Sequence, residues 1–127
     1  MPDIVLDASA LLAFLNGEAG AELVMQHLPD ACISAVNLSE VMAKLAEKGI
    51  PVPEATEILA SLPLDVLPAD HALALRAGAL RLETRDLGLS LGDRFCLALA
   101  ERQNKPALTA DKHWAQLSLG IAVILVR

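Results

Sequence analysis

Five short apolar runs, separated by stretches with helical periodicity, constrain this chain more than anything else in it. The runs are Asp3 to Leu6, Ala31 to Ile33, Leu64 to Leu67, Ala107 to Thr109 and Ile121 to Val126. They are brief, rich in Val, Ile and Leu, and bounded by turn or cap residues, as buried strands are. Helical patterning fills the gaps: Ser9 to Leu15, Glu18 to Leu28 closed by Pro29, and a helix capped by Ser34 and stopped at Gly49. Pro53 opens another, reaching Leu62, and Asp70 caps a long one reaching Thr84. A further helix starts near Ser90, and a helical turn spans Lys112 to Leu117. Strands that alternate with helices pair in parallel and need helices on both faces. The expected fold is a three-layer α/β/α sandwich with a five-stranded, mostly parallel sheet, one domain over residues 1–127. With strand one central, strands two and three to one side and four and five to the other, a crevice opens between strands one and four. It lies at the carboxyl edge of the sheet, where open α/β folds bind ligands.

Composition narrows the classes. The chain is 54% hydrophobic but only 2% aromatic, so its core is aliphatic. The charge-free run from His113 to Val126 is too short and interrupted to span a membrane, which takes about 20 apolar residues. Asp3 and Asp7 break any signal-type segment at the N-terminus. Cys32 and Cys96 have apolar neighbours and no metal-type spacing, which suits reduced core residues of a cytosolic protein. A net charge of −6 argues against a nucleic-acid partner, unless the acids are concentrated in one place.

Four acids stand where concentration is expected. Asp93 heads the face formed with Cys96, Leu97 and Ala100, an apolar stripe on which an unpaired carboxylate is costly. By itself it also reads as the acid of an S-x-x-D capping pair with Ser90. Asp7 ends strand one and Asp111 follows strand four, so the two are expected to face each other across the crevice. Asp7, too, suits a helix N-cap when taken alone. Two carboxylates in one crevice repel unless they share a proton or hold a cation. No His, Cys or nearby Lys is expected beside them, so hard oxygen ligation of Mg²⁺ or Mn²⁺ is the simplest resolution. Glu40 lies across its helix from the stripe of Leu38, Val41, Met42 and Leu45. Periodicity favours a solvated pair with Lys44, although position permits Glu40 to reach the crevice.

The segments VLDASALLAFL, ISAVNLSEV, GLSLGDRFCLALA and LTADKHWAQL, in this order and spacing, resemble those of PIN domains. More narrowly they resemble VapC-type toxins of bacterial toxin–antitoxin pairs, over nearly the whole chain. The resemblance assigns the family's four acids to Asp7, Glu40, Asp93 and Asp111, and raises Glu40 from surface acid to ligand. It gives supporting hydroxyls to Ser9 and Thr109. It implies an endoribonuclease that depends on one or two Mg²⁺ or Mn²⁺ ions, acts as a homodimer, and is inhibited by a cognate VapB-like antitoxin.

Such a site would use the cation to activate water for in-line attack on an RNA phosphodiester, leaving a 5′-phosphate and a 3′-hydroxyl. Asp7 and Asp93 are expected as direct ligands, with Glu40 and Asp111 as ligands or orienting groups. Setting these four acids apart leaves twelve acidic residues against ten basic ones, so the remaining surface is nearly neutral. Arg85, Arg94 and Lys112 are candidate phosphate contacts, with pairing to Asp86 the competing role for Arg94. Trp114 reads as core rather than as a base-stacking platform. A phosphorelay receiver does not fit, because Leu67 is followed by Pro68 where its phosphoacceptor aspartate belongs, and Lys105–Pro106 precedes a strand instead of following one. A D-x-D phosphatase fails at Ser9. The alternatives left open are a PIN-fold interaction module without catalysis and a structure-specific nuclease outside any toxin–antitoxin pair.

Overall fold

Alternation of side chains along three buried strands builds both halves of the core in the computed structural model, which describes residues 2–127. On β1 (Ile4–Leu6), Ile4 and Leu6 face one way and Val5 the other. On β2 (Ala31–Ser34), Ala31 and Ile33 join the first side and Cys32 the second. The first side is covered by α1 (Ala8–Leu15), α2 (Ala21–His27), α3 (Ala35–Glu47) and α4 (Val52–Ala60). The second is covered by α5 (His71–Glu83) and α6 (Leu91–Gln103). With β3 (Asp65–Leu67), β4 (Ala107–Thr109) and β5 (Val123–Leu125), the sheet has five strands in the order β3-β2-β1-β4-β5. Every pairing is parallel. The three-layer sandwich and its central strand are therefore as the sequence predicts.

Three elements depart locally from the sequence pattern. The second helix starts at Ala21 rather than Glu18, because Gly20 adopts φ +97° and its α-carbon lies against Val126. A β-carbon there would come within 2.6 Å of the Val126 carbonyl oxygen. The last strand is shorter than its apolar run, covering only Val123–Leu125. Helix α6 is not singly striped: Phe95 through Ala100 are all buried. It packs on β1, β2 and β4 while α5 lies along it, so little of its circumference meets water. Arg76 of α5 grips Glu101 of α6 through two hydrogen bonds of 2.7 and 2.9 Å. Arg102 of α6 reaches back to Asp70, the α5 cap. No helix is long and apolar enough to cross a membrane among the described residues.

Candidate active site

Asp7 sits where β1 ends and α1 begins, in the extended conformation of an N-cap, yet its side chain caps nothing. The carboxylate turns across the sheet towards β4 instead. Its Oδ2 accepts from Ser9 Oγ at 2.6 Å and from Thr109 Oγ1 at 2.9 Å, and the two hydroxyls lie 3.1 Å apart. The hydroxyls are themselves anchored, because Ala110 N donates to Ser9 Oγ and Asp111 N to Thr109 Oγ1. This cradle exists because Val5 and Leu6 pair in register with Ala107 and Leu108, bringing the carboxyl ends of β1 and β4 level. Asp7 is only 4% exposed, and its pKa is pushed up from 3.8 to about 6. Burial is the main cause; the bonds from Ser9 and Thr109 oppose it, and the charges of Asp93 and Glu40 add to it.

Asp93 does make the capping box that its spacing from Ser90 predicts. Ser90 N donates to Asp93 Oδ2 at 2.9 Å, and Asp93 N donates to Ser90 Oγ at 3.1 Å. The box and the crevice are compatible, since Asp93 acts as a like charge on Asp7 from within it. Glu40 departs from its helical-wheel position. Lys44 pairs with Glu47, not with Glu40. The Glu40 carboxylate is half-buried, takes a hydrogen bond of 2.8 Å from Asn37 Nδ2, and lies against Gly92 at the start of α6. The carboxylate is therefore turned towards the start of α6, and its charge acts on Asp7.

Asp111 follows β4, two residues beyond Thr109. It caps the 3-10 turn Lys112–Gln116, with Oδ1 accepting from His113 N at 2.9 Å and lying 3.0 Å from His113 Nδ1. It connects to Asp7 through Thr109, whose hydroxyl donates to Asp7 Oδ2 and accepts from Asp111 N. The expectation that no His or Cys accompanies the acids also needs correcting. His113 touches Asp111, and the Cys96 thiol lies buried in the field of Asp7, Asp93 and Glu40. Burial and those charges hold Cys96 well above the usual thiol range. Its place one turn beyond Asp93 is the sequence signal for that proximity.

The candidate phosphate contacts divide. Arg85 and Lys112 are exposed and make no ion pair among the described residues. Arg94 makes no pair with Asp86; it donates to the Ala77 carbonyl on α5 at 3.1 Å, and its Nε is buried without a partner. Trp114 is 1% exposed, in the core as predicted.

The donor chemistry fits a hard divalent cation. All four acids offer carboxylate oxygen, and in each one oxygen is held by the protein while the other has no hydrogen bond among the described residues. Positive charge would relieve the cost of ionising Asp7. The side chains as they stand do not form a closed cage: among the described residues no three His, Cys, Asp or Glu are gathered as a metal-holding group. Two residues that matter to this geometry, Asn37 and Gly92, were not identified from sequence. The N-x-x-E spacing, one helical turn, was the available signal for the first.

An open parallel sheet with acids collected at the β1–β4 switch defines a class of α/β proteins with an anionic crevice at the carboxyl edge. The sequence matches the PIN domain family over residues 4–119, and the chain belongs to that family. Among curated proteins, none is significantly similar in sequence. Solved structures agree on the fold. A DNA-bound VapBC from Salmonella typhimurium is 21% identical, with complete coverage (100%) of both chains and a TM-score of 0.76. A toxin–antitoxin complex from Klebsiella pneumoniae is 22% identical over 98% of each chain, with a TM-score of 0.74. A sarcin–ricin loop cleaving VapC toxin from Mycobacterium tuberculosis is 18% identical, over 94% of this chain and 98% of its own, with a TM-score of 0.74.

Proposed function

We propose that this chain is a Mg²⁺- or Mn²⁺-dependent endoribonuclease and the toxin of a toxin–antitoxin pair. The observation that carries the proposal is the buried Asp7, gripped by Ser9 and Thr109 and sharing its crevice with Asp93 and Glu40. A helix cap would not need that arrangement, and burying a carboxylate there without a cation is costly. Asp7 and Asp93 would hold the ion, with Glu40 and Asp111 as further ligands or orienting groups. When bound, the cation would supply Lewis acidity to the phosphodiester and charge for its developing oxyanions. The chain's own contribution is positional. Ser9 and Thr109 fix one oxygen of Asp7 and leave the other available, and the capping box does the same for Asp93. Lys112, beside Asp111, and Arg85, in the turn before α6, are free to meet the RNA backbone.

Similarity to toxins solved with antitoxins supports a partner of that kind, one that presents a basic side chain to the crevice. Exposed Leu75 and Leu82, two turns apart on α5, support a homodimer. The test is cleavage of RNA by the purified protein with Mg²⁺ or Mn²⁺, and its loss in EDTA, in Asp7→Asn and in Asp93→Asn with the fold intact. Undiminished cleavage in EDTA would exclude the metal mechanism. The way Asp111 turns onto His113 favours a second reading, an interaction module without catalysis. Absence of cleavage under every metal condition would select it. Coexpression with the small neighbouring open reading frame should relieve growth arrest, and failure to bind or rescue would remove the toxin assignment while sparing the nuclease one.

A further inference from the structure

Asn37 is fully buried between α3 and α6, and its hydrogen bonding is lopsided. Its amide nitrogen donates twice, to Glu40 Oε1 at 2.8 Å and to the Gly92 carbonyl oxygen at 2.9 Å. Its Oδ1 is buried with no partner. An unmet acceptor in the core is destabilising, and an aliphatic side chain of similar size would avoid that cost. The position makes sense if both donated bonds are needed. One holds the acid of α3; the other is tied to the backbone of α6 immediately before Asp93. Gly92 completes the fit, since any β-carbon there would collide with the Glu40 carboxylate.

We infer that Asn37 is a positioning residue that clamps Glu40 against the start of α6 and so fixes its spacing from Asp93. The inference rests on the divalent-ion reading of the crevice. With the clamp in place, Glu40 and Asp93 stay near Asp7 despite their mutual repulsion, and the crevice is set for a cation before one arrives. Without it, Glu40 is free to swing towards solvent. The expected effect is a loss of metal affinity of about 10- to 100-fold, typical when a residue supporting a ligand is removed. Cleavage at saturating metal should fall less than affinity does.

The test is calorimetric titration of the full chain with Mn²⁺, alongside RNA cleavage across the same metal range. Asn37→Leu keeps the volume and removes both donors. Gly92→Ala attacks the same contact from the other side, in a helix where Ala is well tolerated. Both should weaken Mn²⁺ binding by about 10- to 100-fold. Neither should have much further effect in a Glu40→Gln background, because the clamp acts only through Glu40. Should Asn37→Leu fail to fold, Gly92→Ala alone decides. Wild-type Mn²⁺ affinity in either folded variant, or effects that multiply with Glu40→Gln, would overturn the inference while leaving the nuclease reading intact. If the wild-type protein takes up no Mn²⁺, the divalent-ion reading fails and the clamp's role with it.

Discussion

Replacing Asp7 with Asn should make the metal-free protein more stable at neutral pH and should do so only there. In the folded chain the Asp7 carboxyl titrates at about 6, against an ordinary 3.8, chiefly because it is buried. Its raised pKa means that the folded state binds a proton that the unfolded chain has already lost. The resulting penalty is absent below the unfolded value, grows as pH rises through the window between the two, and is complete above the folded value. A shift of about two units corresponds to about 3 kcal/mol. Asn removes the charge and keeps an oxygen that can accept from Ser9 and Thr109, so most of that penalty should be recovered. Thermal melts in EDTA of wild type and Asp7→Asn should nearly coincide around pH 3.5. Near pH 7.5 the variant should melt roughly 5 to 10 °C higher, on the usual scaling for a domain of this size. Saturating Mg²⁺ should then raise the wild type and leave the variant unmoved. A difference that does not change with pH, or a variant less stable than wild type at neutral pH, would refute the argument that Asp7 is held charged against its surroundings.

Asp93→Asn should behave differently, because Asn retains the acceptor that closes the box with Ser90. Its apo melting temperature should move little, whereas Ser90→Ala should cost about 1 kcal/mol through the lost cap; chemical denaturation of both variants compares them. Thr109→Val removes one of the two bonds that lower the Asp7 pKa, the other being from Ser9, and the acceptor used by Asp111 N. If the proposed cleavage requires ionised Asp7, the rise of its rate with pH should shift to higher pH in a pH–rate profile of this variant. An unshifted profile would mean that Thr109 does not act through Asp7.

The sequence made the sheet order and the ends of β1 and β4 readable, because both follow from apolar runs and from the rule that crevices open where strand order reverses. The hydroxyls of Ser9 and Thr109 came instead from the family resemblance, each two residues from an acid of the motifs. Glu40 was less legible. A helical wheel records which face a residue occupies but not what packs there, and the tight approach of α3 to α6 at Gly92 turned an apparently solvated face into a wall of the crevice. Asn37 was invisible for the same reason: its value lies in two acceptors, one of them 55 positions away. The orientation of Asp111 depended on a local choice, capping the turn that holds His113, which spacing alone cannot decide.

The cradle around Asp7 joins residues far apart in the sequence: Ser9 and Thr109 are 100 positions apart, and Asp7 and Thr109 are 102. A ribosome making this protein emits Asp7, then Glu40, then Asp93, and none of them has its final surroundings until the fourth strand has emerged and inserted beside the first. Until then the nascent chain lacks one of the two hydroxyls that grip Asp7, and no truncated product ending before Thr109 can contain the finished crevice. Whatever chemistry the crevice performs, it is therefore assembled only after residue 109 has joined the fold.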